Sequence, residues 1–233
     1  MTGQLDLLGR AASATQIALP LPHVPGRETI PGASNAAALR LLGDWPRWGG
    51  PLALLIGPAG SGKTHLVADW ARRAGAIALG ERDLVESAGQ LPAGAAVALD
   101  NGDVALTGER SAAAQQALFH LLNHLRATGG TLCVSSRRLV STWPVDLPDL
   151  RSRLRGGTVA TLDAPDDALM RMVAGKLFAD RQIDAPPALL DAVLARIERS
   201  LVALERAVER LDATSLSEGR RIDRRLVARL LGP

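Results

Sequence analysis

Apolar residues follow two regimes along this chain, and the change comes near residue 163. Before it, short and mostly apolar runs recur between polar or glycine-rich stretches: Pro51–Ile56, Ala76–Leu79, Ala95–Leu99, Thr131–Ser135 and Thr158–Leu162. Unbroken apolar runs of this length predict strands covered on both faces. Between the third and the fourth, Leu118, Leu121, Leu122 and Leu125 recur at helical spacing after Ser111, which predicts a helix capped by that serine. Shorter helices are expected over Ser34–Leu42, with Ser34 or Asn35 as N-cap, and over Leu147–Leu154. Strands alternating with helices imply right-handed crossovers and hence a parallel sheet.

After Asp163-Ala164-Pro165 no strand-like run follows. Leu169, Met172, Val173 and Leu177 form one predicted apolar stripe. Leu190, Val193, Leu194 and Ile197 form a second, after Pro186-Pro187. Leu201, Leu204, Val208 and Leu211 form a third, behind a Ser200 cap. Asp223 reads as the cap of a last helix, with Ile222 and Val227 placed as a hydrophobic staple. The expected fold class is α/β: a five-stranded parallel sheet flanked by helices over residues 23–163, followed by a small all-α lid over residues 164–233. Residues 1–22, interrupted by Pro20 and Pro22, are expected to form a flexible tail.

Composition narrows the class. At 233 residues, 47% hydrophobic and 22% charged, with a net charge of +3, the balance is that of a globular chain with ample core. No apolar run reaches membrane-spanning length, and no basic region followed by an apolar stretch opens the sequence, so a cytoplasmic location is expected. The single cysteine, Cys133, excludes an internal disulfide framework and reads as a buried, inert thiol. Zero Tyr and two Phe argue against stacking on single-stranded nucleic acid.

The chemistry begins where the first run ends. Gly57, Pro58, Ala59, Gly60, Ser61, Gly62, Lys63 and Thr64 fit G-x-x-x-x-G-K-[ST], and a helix is expected from His65. Glycines let backbone N–H groups turn inward around phosphate oxygens. Lys63 would reach the β/γ-phosphates, and the Thr64 hydroxyl would hold Mg²⁺. Of 27 basic residues only Lys63 and Lys176 are lysine, so one of the two occupies the slot that needs a compact ammonium. Asp100 ends the third run and is expected to bind the Mg²⁺ shell. Asn101 follows it, and an amide accepts no proton at neutral pH, so tight nucleotide binding with slow intrinsic turnover is expected. Asp103 is a less suitably placed substitute. Arg151 and Arg153 precede the fifth run and could reach a neighbouring subunit's nucleotide, and Arg199 could fold back onto this chain's own. In the tail, Gln4, Leu5, Leu7 and Leu8, and again Gln16, Ile17, Leu19 and Leu21, form two Gln-aliphatic peptides suited to a partner's groove. Arg220, Arg221, Arg224, Arg225 and Arg229 form a basic run, which reads as a solvated face.

Together these residues resemble the AAA+ ATPases of the bacterial initiator DnaA group. The resemblance rests on Pro31-Gly32-Ala33-Ser34-Asn35, Gly62-Lys63-Thr64-His65-Leu66, Leu99-Asp100-Asn101 and Leu150-Arg151-Ser152-Arg153-Leu154. Within the group the chain is most similar to the Hda-type regulators of alphaproteobacteria, through lid stretches such as Lys176–Gln182 and Arg196–Leu201. The sequence ends at Pro233, and no helix-turn-helix DNA-binding domain is expected. The resemblance implies ADP or ATP with Mg²⁺ in the loop, held also by His65 and sensed by Arg199. It implies a tail peptide docked on the DNA polymerase III sliding clamp (the β subunit), with DNA reached only through the clamp and no membrane involved. It further implies Arg153 acting as an arginine finger on DnaA-bound ATP, which suppresses re-initiation of replication. Whether the chain forms a homodimer is left open. A helicase-loader-like adaptor, which needs no clamp peptide, and a small P-loop kinase, which needs an acceptor pocket, are the alternatives.

Overall fold

The computed structural model describes residues 29–87, 90–108 and 111–232, so both Gln-aliphatic peptides lie outside the described residues. Its sheet is built from β1 (Leu52–Ile56), β2 (Ile77–Leu79), β3 (Ala96–Leu99), β4 (Thr131–Ser136) and β5 (Thr158–Thr161), all parallel, in the order β2-β3-β4-β1-β5. The expected α/β class is therefore the observed one. β1 lies between β4 and β5, with Ile56 opposite Ser136 on one side and Thr161 on the other. This order brings the carboxyl ends of β1, β3 and β4 together, where open α/β sheets form their crevices.

Side-chain alternation sorts the sheet into two cores. Leu52, Leu54, Ile56, Val97, Leu99, Leu132 and Val134 face α5 (Ser111–Thr128) and α6 (Pro148–Arg155). Ala53, Leu55, Ala98, Cys133 and Ala160 face α1 (Ala36–Gly43) and α2 (Lys63–Ala74). The second face is rich in small residues, and the space they leave is filled by Trp70, which is 1% exposed and packs edge-on to Trp45 and tilted against Trp48. Cys133 is fully buried there. Desolvation pushes its thiol far above the ordinary range, consistent with an inert group.

Two predicted caps differ. A 3-10 turn over Ala33–Asn35 leads into α1 without a side-chain cap from Ser34 or Asn35. Asn35 instead folds backward: its Oδ1 accepts from Gly32 N–H at 2.8 Å and its Nδ2 donates to Ile30 O at 2.9 Å, which fixes the strap before α1. Ser111 is the first residue of α5 rather than its cap, and its Oγ donates to Leu106 O at 2.7 Å. α3 (Glu81–Ser87) and α4 (Gly102–Ala105) are short helices that the hydrophobic pattern did not signal.

The C-terminal part holds α7 (Asp167–Ala179), α8 (Pro187–Leu194), α9 (Leu201–Glu218) and α10 (Arg224–Leu231). Asp166, Ser200 and Asp223 cap α7, α9 and α10, accepting from the N–H groups of Leu169, Ala203 and Leu226. Ile222 and Val227 join one core with Met170, Ala174, Phe178, Val193, Leu204, Val208 and Leu211. On α7 the predicted stripe is revised. Met172 is 46% exposed, and Met170, Ala174 and Phe178 meet the lid core in its place. Leu169, Val173 and Leu177 line a cavity toward the sheet domain, so α7 carries two apolar faces. Ser200 is buried and caps at a shared joint, so Ser200→Ala is expected to cost about 1 kcal/mol, seen as a thermal midpoint lowered by about 2–4 °C.

Candidate functional site

The loop after β1 starts as an extension of the sheet, because Gly57 N–H donates to Ser136 O at 3.1 Å. It turns through left-handed backbone at Gly60 (φ +73°) and Gly62 (φ +94°), and α2 begins at Lys63. No side chain caps α2 at Gly62, and a helix amino end of this kind is the setting in which backbone N–H groups take an anion. Lys63 is 5% exposed, and its Nζ donates to Gly57 O at 2.8 Å, Pro58 O at 2.7 Å and, at 3.4 Å, Ser61 Oγ. Burial and, less strongly, the Arg137 guanidinium hold its pKa below the ordinary lysine value, against opposing pulls from Asp100 and Asp103. An entering phosphate would replace neutral carbonyl acceptors with charged ones, whose hydrogen bonds to an ammonium are roughly twice as strong.

Asp100 follows β3 and is the hub of the polar edge. Its carboxylate accepts from Thr64 Oγ1 at 2.9 Å, from Asn101 Nδ2 at 3.0 Å and from the Ser135 hydroxyl. Ser135 Oγ in turn accepts from Asn101 N–H at 2.8 Å. Asn101 sits at φ +52°, a left-handed conformation that asparagine tolerates better than most residues. Asp103 is buried, and its Oδ1 accepts from Arg137 N–H at 3.4 Å. Asp103 is thus tied to the turn after β4. Thr64 and Asp100 are hard oxygen donors at one point, a pair that fits an octahedral cation shared with phosphate oxygens.

A cavity of about 310 Å³ opens over the loop. Ala59 through His65 line it from below, with Asn101 and Arg137 at the strand ends. Ile30 and Asn35 of the strap and Leu169, Val173 and Leu201 of the lid close its other sides. Gly57 and Pro58 stand behind it as acceptors for Lys63. The loop tip touches the lid directly: Leu201 N–H donates to Gly60 O at 2.9 Å, and a Cβ at Gly60 would fall 2.0 Å from Ser200 Oγ.

Two predicted arginines lie elsewhere. Arg199 pairs with Asp167 at 2.6 Å and lines a separate cleft beside the Arg171–Asp191 pair. It is not among the residues that line the phosphate-loop cavity. Arg153, on α6, places its Cζ 5.2 Å from the centre of the Phe119 ring, and its buried Nε has no hydrogen-bond partner. Arg151 beside it donates to Val145 O. In the basic run, Arg220 and Arg229 are paired with Glu218, and Arg220 also with Asp223. Sequence reasoning did not name Ser135 or Arg137 as site residues. The available signal was a pair of hydroxyls, Ser135-Ser136, ending an otherwise apolar strand and fully buried in the fold.

Comparison with known proteins adds an independent line. No protein-family model matches the chain. It is 29% identical over 211 residues to the chromosomal replication initiator protein DnaA of Sphingopyxis alaskensis, covering 82% of this chain and 46% of that protein. It is 32% identical over 100 residues to DnaA of Thermomicrobium roseum, covering 42% of this chain and 21% of that protein. The chain thus spans half or less of the length of the curated relatives it matches. Among solved structures, domain III of Thermotoga maritima DnaA superposes with a TM-score of 0.71 at 23% identity, over 87% of this chain and 93% of that one. AMPPCP-bound DnaA from Aquifex aeolicus gives 0.66 at 17% identity, over 81% of this chain and 65% of that one. Among the described residues no helix is long and apolar enough to cross a membrane. The sheet order and the sequence likeness agree: this chain has the fold of DnaA domain III and is similar in sequence to DnaA proteins.

Proposed function

We propose that the chain binds ADP or ATP with Mg²⁺ and serves as an Hda-type regulator of replication initiation. In this reading it docks on the DNA polymerase III sliding clamp through its tail and stimulates ATP hydrolysis by DnaA. One observation carries the reading: the phosphate loop and Asp100 are in place while Asn101 stands where a proton acceptor would be needed, and Arg153 is held outside the chain's own cavity. Such a site favours holding a nucleotide over turning it over, and leaves a guanidinium to act on another protein's. The likeness to DnaA, and the AMPPCP bound by the Aquifex aeolicus protein, support the choice of ligand and partner.

Lys63, which donates to the carbonyls of Gly57 and Pro58, would hold the β- and γ-phosphates of a bound nucleotide. Thr64 and Asp100 would hold Mg²⁺, which neutralises the phosphate oxygens. Ser135 and Asn101 keep the Asp100 carboxylate oriented. Ile30, Leu169 and Val173 offer an apolar sleeve for a base. Arg153 reaches DnaA's γ-phosphate and stabilises charge that develops there. The tail raises the local concentration of the chain at the clamp, so only clamp-loaded DNA brings the two AAA+ surfaces together efficiently.

The test is hydrolysis of DnaA-bound ATP with the clamp loaded on DNA. Adding the full chain is expected to accelerate hydrolysis, and deleting residues 1–22 to lower that acceleration by about two orders of magnitude at limiting protein, the scale of a lost second binding contact. Unchanged stimulation by the deleted chain would remove the clamp from the mechanism and favour an adaptor that acts alone.

A further inference from the structure

Gln115 has no role assigned so far, yet it is 1% exposed and its side-chain amide is fully bonded. It lies near the start of α5, and most of its bonds go to the segment that precedes α6, 29 to 32 positions away. Its Nε2 donates to Ser111 Oγ and to Pro144 O, both at 3.1 Å. Its Oε1 accepts from Asp146 N–H at 2.8 Å and from Leu147 N–H at 3.3 Å. A backbone carbonyl only accepts and a backbone N–H only donates, so these bonds are satisfied in one orientation of the amide.

The start of α6 has no cap of its own. Leu147 is the N-cap residue and supplies no side-chain bond, and Pro148 at the first position has no N–H. Leu150 and Leu154, both buried, hold one face of the helix on the core. Apolar contact is non-directional, so it fixes which face is covered better than how far along its axis the helix sits. Gln115 supplies the directional part. Val145, buried between the bonded residues, accepts from the Arg151 guanidinium, which ties the same segment to the middle of α6. Arg153 follows two positions later.

We propose that Gln115 is a positioning residue that fixes α6 along its axis and so sets the reach of Arg153 toward the phosphate of a partner's nucleotide. The proposal rests on the reading of Arg153 given above and deepens it. A guanidinium that serves a reaction in another protein has to be placed within its own chain before the two surfaces meet. Phosphoryl transfer is sensitive to that placement, since a displacement of about 1 Å costs about two orders of magnitude in rate. Gln115 does not line the phosphate-loop cavity, so this chain's own nucleotide lies outside its influence.

The test measures hydrolysis of DnaA-bound ATP, with the clamp loaded on DNA, against the concentration of the wild-type chain, Gln115→Met, Gln115→Glu and Arg153→Ala. It is run at a temperature where circular dichroism shows each chain to be folded. Gln115→Met should lower the maximal rate about a hundredfold, and leave the half-saturating concentration and the chain's own affinity for ADP within about twofold. A merely structural loss would move all three together. Gln115→Glu keeps an acceptor for Asp146 N–H and Leu147 N–H and gives up the donor to Pro144 O, so about a tenfold loss of the same maximal rate is expected. Should Gln115→Met not fold, Gln115→Glu decides alone. An unchanged maximal rate, or a loss shared by half-saturation or by ADP affinity, would overturn the assignment. Stimulation that survives Arg153→Ala would overturn the reading of the arginine itself.

Discussion

On the function proposed above, Arg153→Ala is expected to lower hydrolysis of DnaA-bound ATP about a thousandfold, the scale at which an arginine finger acts on phosphoryl transfer. The structure explains why the loss should be confined to that activity. Arg153 does not line the chain's own cavity, and its described contact is with Phe119, over whose ring the guanidinium lies. Losing that stacking costs about 0.5–1 kcal/mol, which a chain of this size absorbs without unfolding. The variant should therefore keep its thermal midpoint to within a few degrees and bind nucleotide as tightly as the wild type. The decisive measurement sets both proteins against DnaA–ATP with DNA-loaded clamp. Equal stimulation would show that the catalytic charge comes from elsewhere.

Lys63→Ala is the second large effect, and it falls on binding. The ammonium is the central donor of the loop, and its replacement removes charge-assisted hydrogen bonds worth about 3 kcal/mol in total, about two orders of magnitude in Kd. It also leaves Gly57 O and Pro58 O without the donor they share. The pH dependence separates this role from a structural one. The folded pKa of Lys63 lies below the ordinary 10.5, chiefly through burial. Between the lowered value and 10.5 the unfolded chain binds this proton more than the folded one, so this group's contribution to stability rises with pH across that window. Nucleotide affinity should move the opposite way, because phosphate needs the protonated form. Titrations and unfolding scans over alkaline pH should show both trends in the wild type. Their persistence in Lys63→Ala would assign them to another group.

The legibility of this protein varied with how local each interaction is. The five strands were read from apolar runs, and their edges shifted by single residues: Ile77 for Ala76, Ala96 for Ala95, Ser136 for Ser135. Such runs are long enough to be covered only inside a parallel sheet. The glycine pattern and Lys63 stood out because a phosphate loop is contiguous. The Ser200 and Asp223 caps were legible for the same reason, since a cap bonds three residues ahead. Ser111 and Asn35 failed as caps because a closer acceptor or donor, Leu106 O and Gly32 N–H, engaged each side chain first. Met172 was misplaced on its helix because α7 has two partners, the lid core and the cavity, and periodicity describes one stripe at a time.

What the sequence determined by itself is the α/β class, the glycine-rich turn leading to Lys63 and an amide rather than an acid at Asn101, all of which depend on residues close together in the chain. Tertiary structure alone decided that Ser135 supports Asp100, that Arg137 rather than Arg199 faces the cavity, and that the lid touches Gly60. Those outcomes depend on which strand ends lie side by side and which carboxylate an arginine meets first. Asp167 captures Arg199 from 32 positions away, while Ser136 delivers Arg137 to the loop through one backbone hydrogen bond. No spacing along a single chain encodes such meetings, because the folded sheet and lid create them.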